Sequence, residues 1–193
     1  MLDHHPRIAC HFEFEHAVEL VGDDGHFPTT QVYREWLANS RSFVGSGARL
    51  DPALEYAELV DSFLEQKRER GGKQIVGATV HKHFDRLRFI WPRARFVHIV
   101  RDPRDVAPSC MAMGWAGNVW GGVQRWLDAE QLWDTMASRI EPSHRYEIRY
   151  EDLIRDARKQ LAGICEFLGI AFEDEMFSYA AKSSYGLPDP GRV

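Results

Sequence analysis

Residues 96–109 read FVHIVRDPRDVAPS, a strand signal that runs straight into a helix signal. Phe96-Val97-His98-Ile99-Val100 is a near-continuous apolar, β-rich run, the composition of a strand buried on both faces of a parallel sheet. Asp102 then offers a side-chain cap, and Pro103 has the fixed φ that suits a first helical position. A helix therefore follows the strand after almost no loop. Pro108 is predicted to bend that helix, because proline lacks the backbone donor. Arg101 falls at the C-terminal end of the strand, where open α/β sheets bind ligands. Free N–H groups at a helix N-terminus attract anions. The planar guanidinium fork suits phosphate or sulfate. Ser109, eight residues after Arg101, adds a hydroxyl to the same region. The competing reading pairs Arg101 with Asp102 or Asp105.

Residues 74–79 read as a short strand, and residues 83–90 as a helix stopped by Trp91-Pro92. Asp51-Pro52 repeats the cap-and-proline signal, followed by Leu54, Ala57, Val60, Phe63 and Leu64 at helical spacing and a Gly71-Gly72 stop. Downstream, residues 114–122 read as a Gly/Trp loop and 123–138 as a long amphipathic helix. Residues 145–149 read as a strand, 153–168 as a helix closed by Gly169, and 173–181 as a last short helix. Residues 7–22 mix aromatics, carboxylates and histidines. Residues 23–47 read as a loop or short helix anchored by Tyr33, Trp36 and Leu37. Strands alternating with helices predict an α/β fold with a parallel sheet.

The chain has 193 residues, of which 44% are hydrophobic and 27% charged, the composition of one globular domain over residues 1–193. Disorder is excluded, and no apolar run approaches the length of a membrane helix. A net charge of −5 argues against a nucleic-acid coat protein. Yet residues 82–104 hold seven basic and two acidic side chains, a local excess that suits an anionic ligand. The three cysteines, Cys10, Cys110 and Cys165, are odd in number and lack CxxC spacing. They read as reduced thiols in the cytoplasm.

On these residues the sequence resembles the sulfotransferases that use 3′-phosphoadenosine 5′-phosphosulfate (PAPS), and most closely their bacterial and tyrosylprotein branches. FVHIVRDPRDVAPS resembles their 3′-phosphate-binding strand and helix, and FIWPRA (residues 89–94) the lead into it. RYEDL (149–153) with ICEFLG (164–169) resembles their late YEDL and FLG pair, and MLDHHP (1–6) the end of their first helix. The resemblance implies a P-loop NTPase-like parallel sheet flanked by helices. Arg101 and Ser109 would bind the 3′-phosphate, with Tyr150 near the nucleotide. The general base would be Glu13, its carboxyl raised by the apolar neighbours Phe12 and Phe14, with Glu15 and His11 as rivals. The acceptor would be a hydroxyl, less often an amine. No metal is expected.

By the same resemblance, the 5′-phosphosulfate loop and first strand lie before the position of Met1. The expectation is a chain truncated at its N-terminus, with unpaired strand edges that invite homodimerisation. The alternative function is a non-catalytic nucleotide-binding module. Ala78 stands where many relatives carry a lysine, and Ala157 where a proline is usual. His4, His5, His11 and His16 lack metal-ligand spacing. Trp126 and Trp133 read as core, and Trp115 and Trp120 as a lid over the acceptor. His81 and His83 read as structural or exposed, with Lys82 near the donor.

Overall fold

Two parallel strand pairs each organise their own helices. The structure, a computed structural model, describes residues 1–178. Their contacts divide them into one unit formed by Met1–Phe84 with the segment from Glu173, and a second formed by Asp85–Phe172.

In the first unit, β1 (Ile8–His11) pairs in parallel with β2 (Ile75–Ala78), Ile8 opposite Ile75 and His11 opposite Ala78. Between them come α1 (Thr30–Leu37), α2 (Arg41–Val44) and α3 (Tyr56–Arg70). Thr29 starts α1 by accepting a bond from the Val32 amide. Tyr33, Leu37, Leu59, Val60 and Phe63 are fully buried. Each such side chain contributes about 1.5–3 kcal/mol by leaving water. Two phenols in this core also find polar partners. Tyr33 donates to the His16 carbonyl (2.8 Å) and Tyr56 to the Ala17 carbonyl (2.7 Å), which pins the short 3-10 turn Glu15–Ala17.

Residues 7–22 contain a strand, β1, whose four residues are too few to show a period and are mostly buried. The Asp51-Pro52 signal does not start a helix. Asp51 closes a turn by accepting from the Ala53 amide, and α3 begins four residues later, where Glu58 accepts from the Glu55 amide. The N-terminal residues form a 3-10 turn, Leu2–His4.

In the second unit, a 3-10 turn at Phe84–Arg86 leads into α4 (Leu87–Ile90). Next, β3 (Phe96–Val100) runs directly into α5 (Pro103–Ala112), with Asp102 accepting from the Arg104 amide as predicted. Pro108 lies inside α5, which continues past it. A long helix, α6 (Val119–Ala137), packs against α5 and precedes β4 (Arg145–Arg149). Strand β4 pairs in parallel with β3, Phe96 opposite Arg145 and Val100 opposite Arg149. The helices α7 (Tyr150–Arg155) and α8 (Ala157–Leu168) follow. The approach of α5 to α6 requires a glycine: a Cβ on Gly122 would stand 2.7 Å from the Ala107 Cα.

Three more corrections fall in this unit. Strand β3 is not sealed on both faces, since Ile99 is 50% exposed. Helix α6 starts before residue 123 because Asn118 caps it, accepting from the Gly121 amide. The helix read over 153–168 is two helices, broken at Asp156, which ends α7 and caps α8 through the Lys159 amide. Gly169 closes α8 with a φ of 73°, as its identity requires. In the first unit, the last helix is a short 3-10 turn, Asp174–Phe177. The rest of the 173–181 reading lies outside the described residues. The architecture is α/β with small parallel sheets. No helix among the described residues is long and apolar enough to cross a membrane.

Candidate active site

Arg101 leaves the C-terminal end of β3 and stands where α5 begins. Its carbonyl accepts from the Trp126 indole at 2.9 Å, so α6 fixes the backbone at this position. The competing ion pair does not form. Asp102 turns instead to Arg104, at 2.6 Å, and that bond with the Arg104 amide lowers its carboxyl to about 2. Among the described residues no ion pair or hydrogen bond engages the Arg101 guanidinium, and its Nε is buried without a partner. The guanidinium lies over the Tyr150 ring, 4.7 Å from its centroid.

Tyr150 is brought there by β4, which runs parallel to β3 and ends one residue before it. The next residue, Glu151, accepts from the Asp102 amide at 2.8 Å. This bond lowers the Glu151 carboxyl and ties the start of α7 to the start of α5. Ser109 is exposed on α5, one turn beyond Asp105 on the same helix face. The site thus offers an unpaired guanidinium, an aromatic ring and a helix N-terminus, a combination suited to a phosphorylated ligand bearing a stackable group.

The carboxylates of the first unit lie after β1. Thr79 donates to the His11 carbonyl and accepts from the Phe14 amide, both at 2.9 Å. Phe12 and Glu13 bulge out between these bonds. Glu13 takes a φ of 52°, a left-handed conformation unusual for a residue with a side chain. His83, after β2, has the same φ. Strained backbone thus follows both strands of this pair.

Glu13 is exposed rather than enclosed. Phe14 turns into the core at 0% exposure while Phe12 stays 48% exposed. The apolar wall expected from both neighbours is therefore absent. Glu15 accepts from both the His81 backbone (2.9 Å) and the His81 Nδ1 (2.8 Å). Burial pushes its carboxyl up, but the two bonds from His81 outweigh burial and leave it below the ordinary value. The same pairing raises His81. His11 is buried and lowered by desolvation. His16 sits among Phe14, Phe43 and Phe63, and burial with the nearby His11 lowers it to about 4.

A family model described as the Sulfotransferase family matches residues 1–174. The chain belongs to the sulfotransferase family. Similar curated sulfotransferases include the omega-hydroxy-beta-dihydromenaquinone-9 sulfotransferases Stf3 of Mycobacterium bovis and Mycobacterium tuberculosis. Each is 33% identical over 94 residues, covering 42% of this chain and 24% of the relative. The chain therefore aligns with only a part of these relatives' length. Among solved structures, the sulfotransferase domain from the curacin biosynthetic pathway shares the fold. It has a TM-score of 0.55 at 18% identity, over 88% of this chain and 76% of that one. The sulfotransferase domain from the Synechococcus PCC 7002 olefin synthase has a TM-score of 0.49 at 18% identity, over 88% and 57%.

Of the sulfotransferase residues read from sequence, Arg101 and Tyr150 meet, and Ser109 lies on the adjoining helix. Glu13 belongs to the other unit. Two contributors escaped the sequence reading. Trp126 read as core but grips the Arg101 carbonyl. Glu151 read as part of a motif but caps the Asp102 amide. The polar tip of the half-buried indole and the acid beside Tyr150 were the available signals. Trp115 and Trp120 are exposed, and Trp120 belongs to the first turn of α6 rather than to a loop. Among the described residues no group of three or more His, Cys, Asp or Glu could hold a metal ion.

Proposed function

We propose that the protein transfers a sulfuryl group from PAPS to a hydroxyl acceptor, with amines as the lesser class. The acceptor oxygen attacks sulfur, the bond from sulfur to the 5′-phosphate oxygen breaks, and 3′-phosphoadenosine 5′-phosphate (PAP) departs. Glu13 accepts the acceptor's proton. Arg101 and Ser109 hold the 3′-phosphate, and Tyr150 lies beside the nucleotide. The scheme uses no metal.

One observation carries this reading. Among the described residues Arg101 has no anionic partner, although Asp102 is its neighbour, and it stands at a strand end and a helix start. Family membership supports the sulfuryl chemistry. The relatives' acceptor bears an omega-hydroxyl by name, which supports a hydroxyl acceptor. The family match spans both units, which supports reading residues 1–193 as one sulfotransferase domain.

The test is calorimetric titration of the chain with PAP and with 5′-AMP. Tighter binding of PAP is expected, because only PAP carries the 3′-phosphate. Equal binding by folded protein refutes the donor site. PAP binding without sulfuryl transfer to any hydroxyl acceptor favours the non-catalytic nucleotide-binding module.

A further inference from the structure

His98 interrupts the apolar run of β3, and its side chain is only 15% exposed. The ring stacks on Trp133 of α6, with centroids 4.3 Å apart and planes at 21°. Each ring nitrogen faces a carboxylate on a different element. Nδ1 is 3.2 Å from Glu147 Oε2 on β4, and Nε2 is 3.5 Å from Glu130 Oε1 on α6. Asp134, one turn beyond Glu130 on α6, adds a further negative charge.

An imidazole donates from both nitrogens only when it is protonated. In the neutral form one of the two carboxylates faces a lone pair, and the carboxylates repel across the ring. The cluster therefore holds together best with one extra proton, on the imidazole or on Glu130. Burial raises the Glu130 carboxyl. His98 opposes this, while Glu147 and Asp134 add to it.

The three elements joined here build the donor site. Strand β3 reaches Arg101 three residues after His98, and β4 reaches Tyr150 three residues after Glu147. One turn before Glu130, α6 carries the Trp126 that holds the Arg101 carbonyl.

We propose that His98 is a positioning residue for the donor site. By engaging Glu147 and Glu130 together, it holds β3, β4 and α6 in the arrangement that presents Arg101 beside Tyr150, and it does so when the cluster carries its proton. This inference rests on the donor-site reading above. It adds that PAP affinity depends on the protonation of a cluster that does not touch the nucleotide.

The test is PAP titration of the natural chain, His98→Gln and Glu147→Gln at about pH 5.5 and about pH 8.5, on either side of ordinary imidazole titration. PAP itself gains charge as pH rises, so the readout is the ratio of variant to natural dissociation constants at each pH. For His98→Gln the expected ratio is about five at the lower pH and below about two at the higher, a coupling of ordinary size. Glu147 is a partner with a 60% exposed side chain, so Glu147→Gln spares the core. It should show the same trend with a smaller ratio, and this keeps the proposal testable if His98→Gln does not fold. Ratios that do not change with pH overturn the proposal while leaving the donor site intact. Failure of the natural chain to bind PAP at either pH refutes the donor-site reading and this inference with it.

Discussion

Replacing Arg101 by alanine should weaken PAP binding by roughly 10- to 150-fold. The range follows from a charge-assisted hydrogen bond worth about 1.5–3 kcal/mol, with each 1.4 kcal/mol a factor of ten. In the free protein the guanidinium has no hydrogen bond or ion pair to lose among the described residues. Its contact with the Tyr150 ring is worth about 0.5–1 kcal/mol at a partly exposed site. The backbone should stay in place, because Trp126 holds the Arg101 carbonyl and Asp102 caps α5 through its own side chain. The variant should therefore fold, with stability reduced by no more than about 1 kcal/mol. Calorimetric titration with PAP and 5′-AMP reads the effect, and thermal melting checks the fold. PAP affinity should fall while 5′-AMP affinity stays, which erases the preference for the 3′-phosphate. Unchanged PAP affinity, or an equal fall for both nucleotides, would refute the assignment.

Glu13→Gln should lower the rate of sulfuryl transfer by about 10²–10⁴-fold without changing PAP affinity, as expected for loss of a general base. Equal rates would return the role to another group. Trp126→Phe removes the indole bond to the Arg101 carbonyl. It should cost about 1 kcal/mol in stability by denaturant titration, and PAP should bind several-fold more weakly. His16 is buried, and its charged form is disfavoured down to about pH 4. The unfolded chain takes up that proton from about pH 6.5 downward. The contribution of His16 to stability is therefore present above the unfolded value of about 6.5 and falls by about 3 kcal/mol as pH drops to 4. Thermal melts across that range should show the loss, and His16→Phe, which fits the Phe14–Phe43–Phe63 surroundings, should reduce it.

The strands β3 and β4 and the start of α5 were legible because their signals are local. The apolar run of β3, the alternating RYEIR of β4 and the Asp-Pro cap of α5 act within a few residues, and the structure keeps their boundaries. Strand β1 was not legible, because His11, Phe12 and Glu13 carry its end into a bulge held by Thr79, far away in sequence. The Asp51-Pro52 cap misled because Glu55 and Glu58 compete for the same role. Asp156 reads as one more polar residue on an amphipathic helix until its side chain is seen to cap a second one. At the site, Arg101 was visible as a residue type in a position. What was not visible is that Arg104 takes Asp102 and leaves Arg101 without an ion pair among the described residues, since neighbouring residues in sequence offer several pairings and only geometry selects one.

The parallel pairing of β3 with β4 has a kinetic consequence. The partners are separated by the whole of α5 and α6, so a long loop must close before they meet. The α5–α6 pair is local and free to form early. Arg101 and Tyr150 face each other only once the strands have joined. A nucleotide that needs both therefore binds late in folding and leaves before unfolding can proceed. Bound PAP should slow unfolding and leave the early folding steps unchanged.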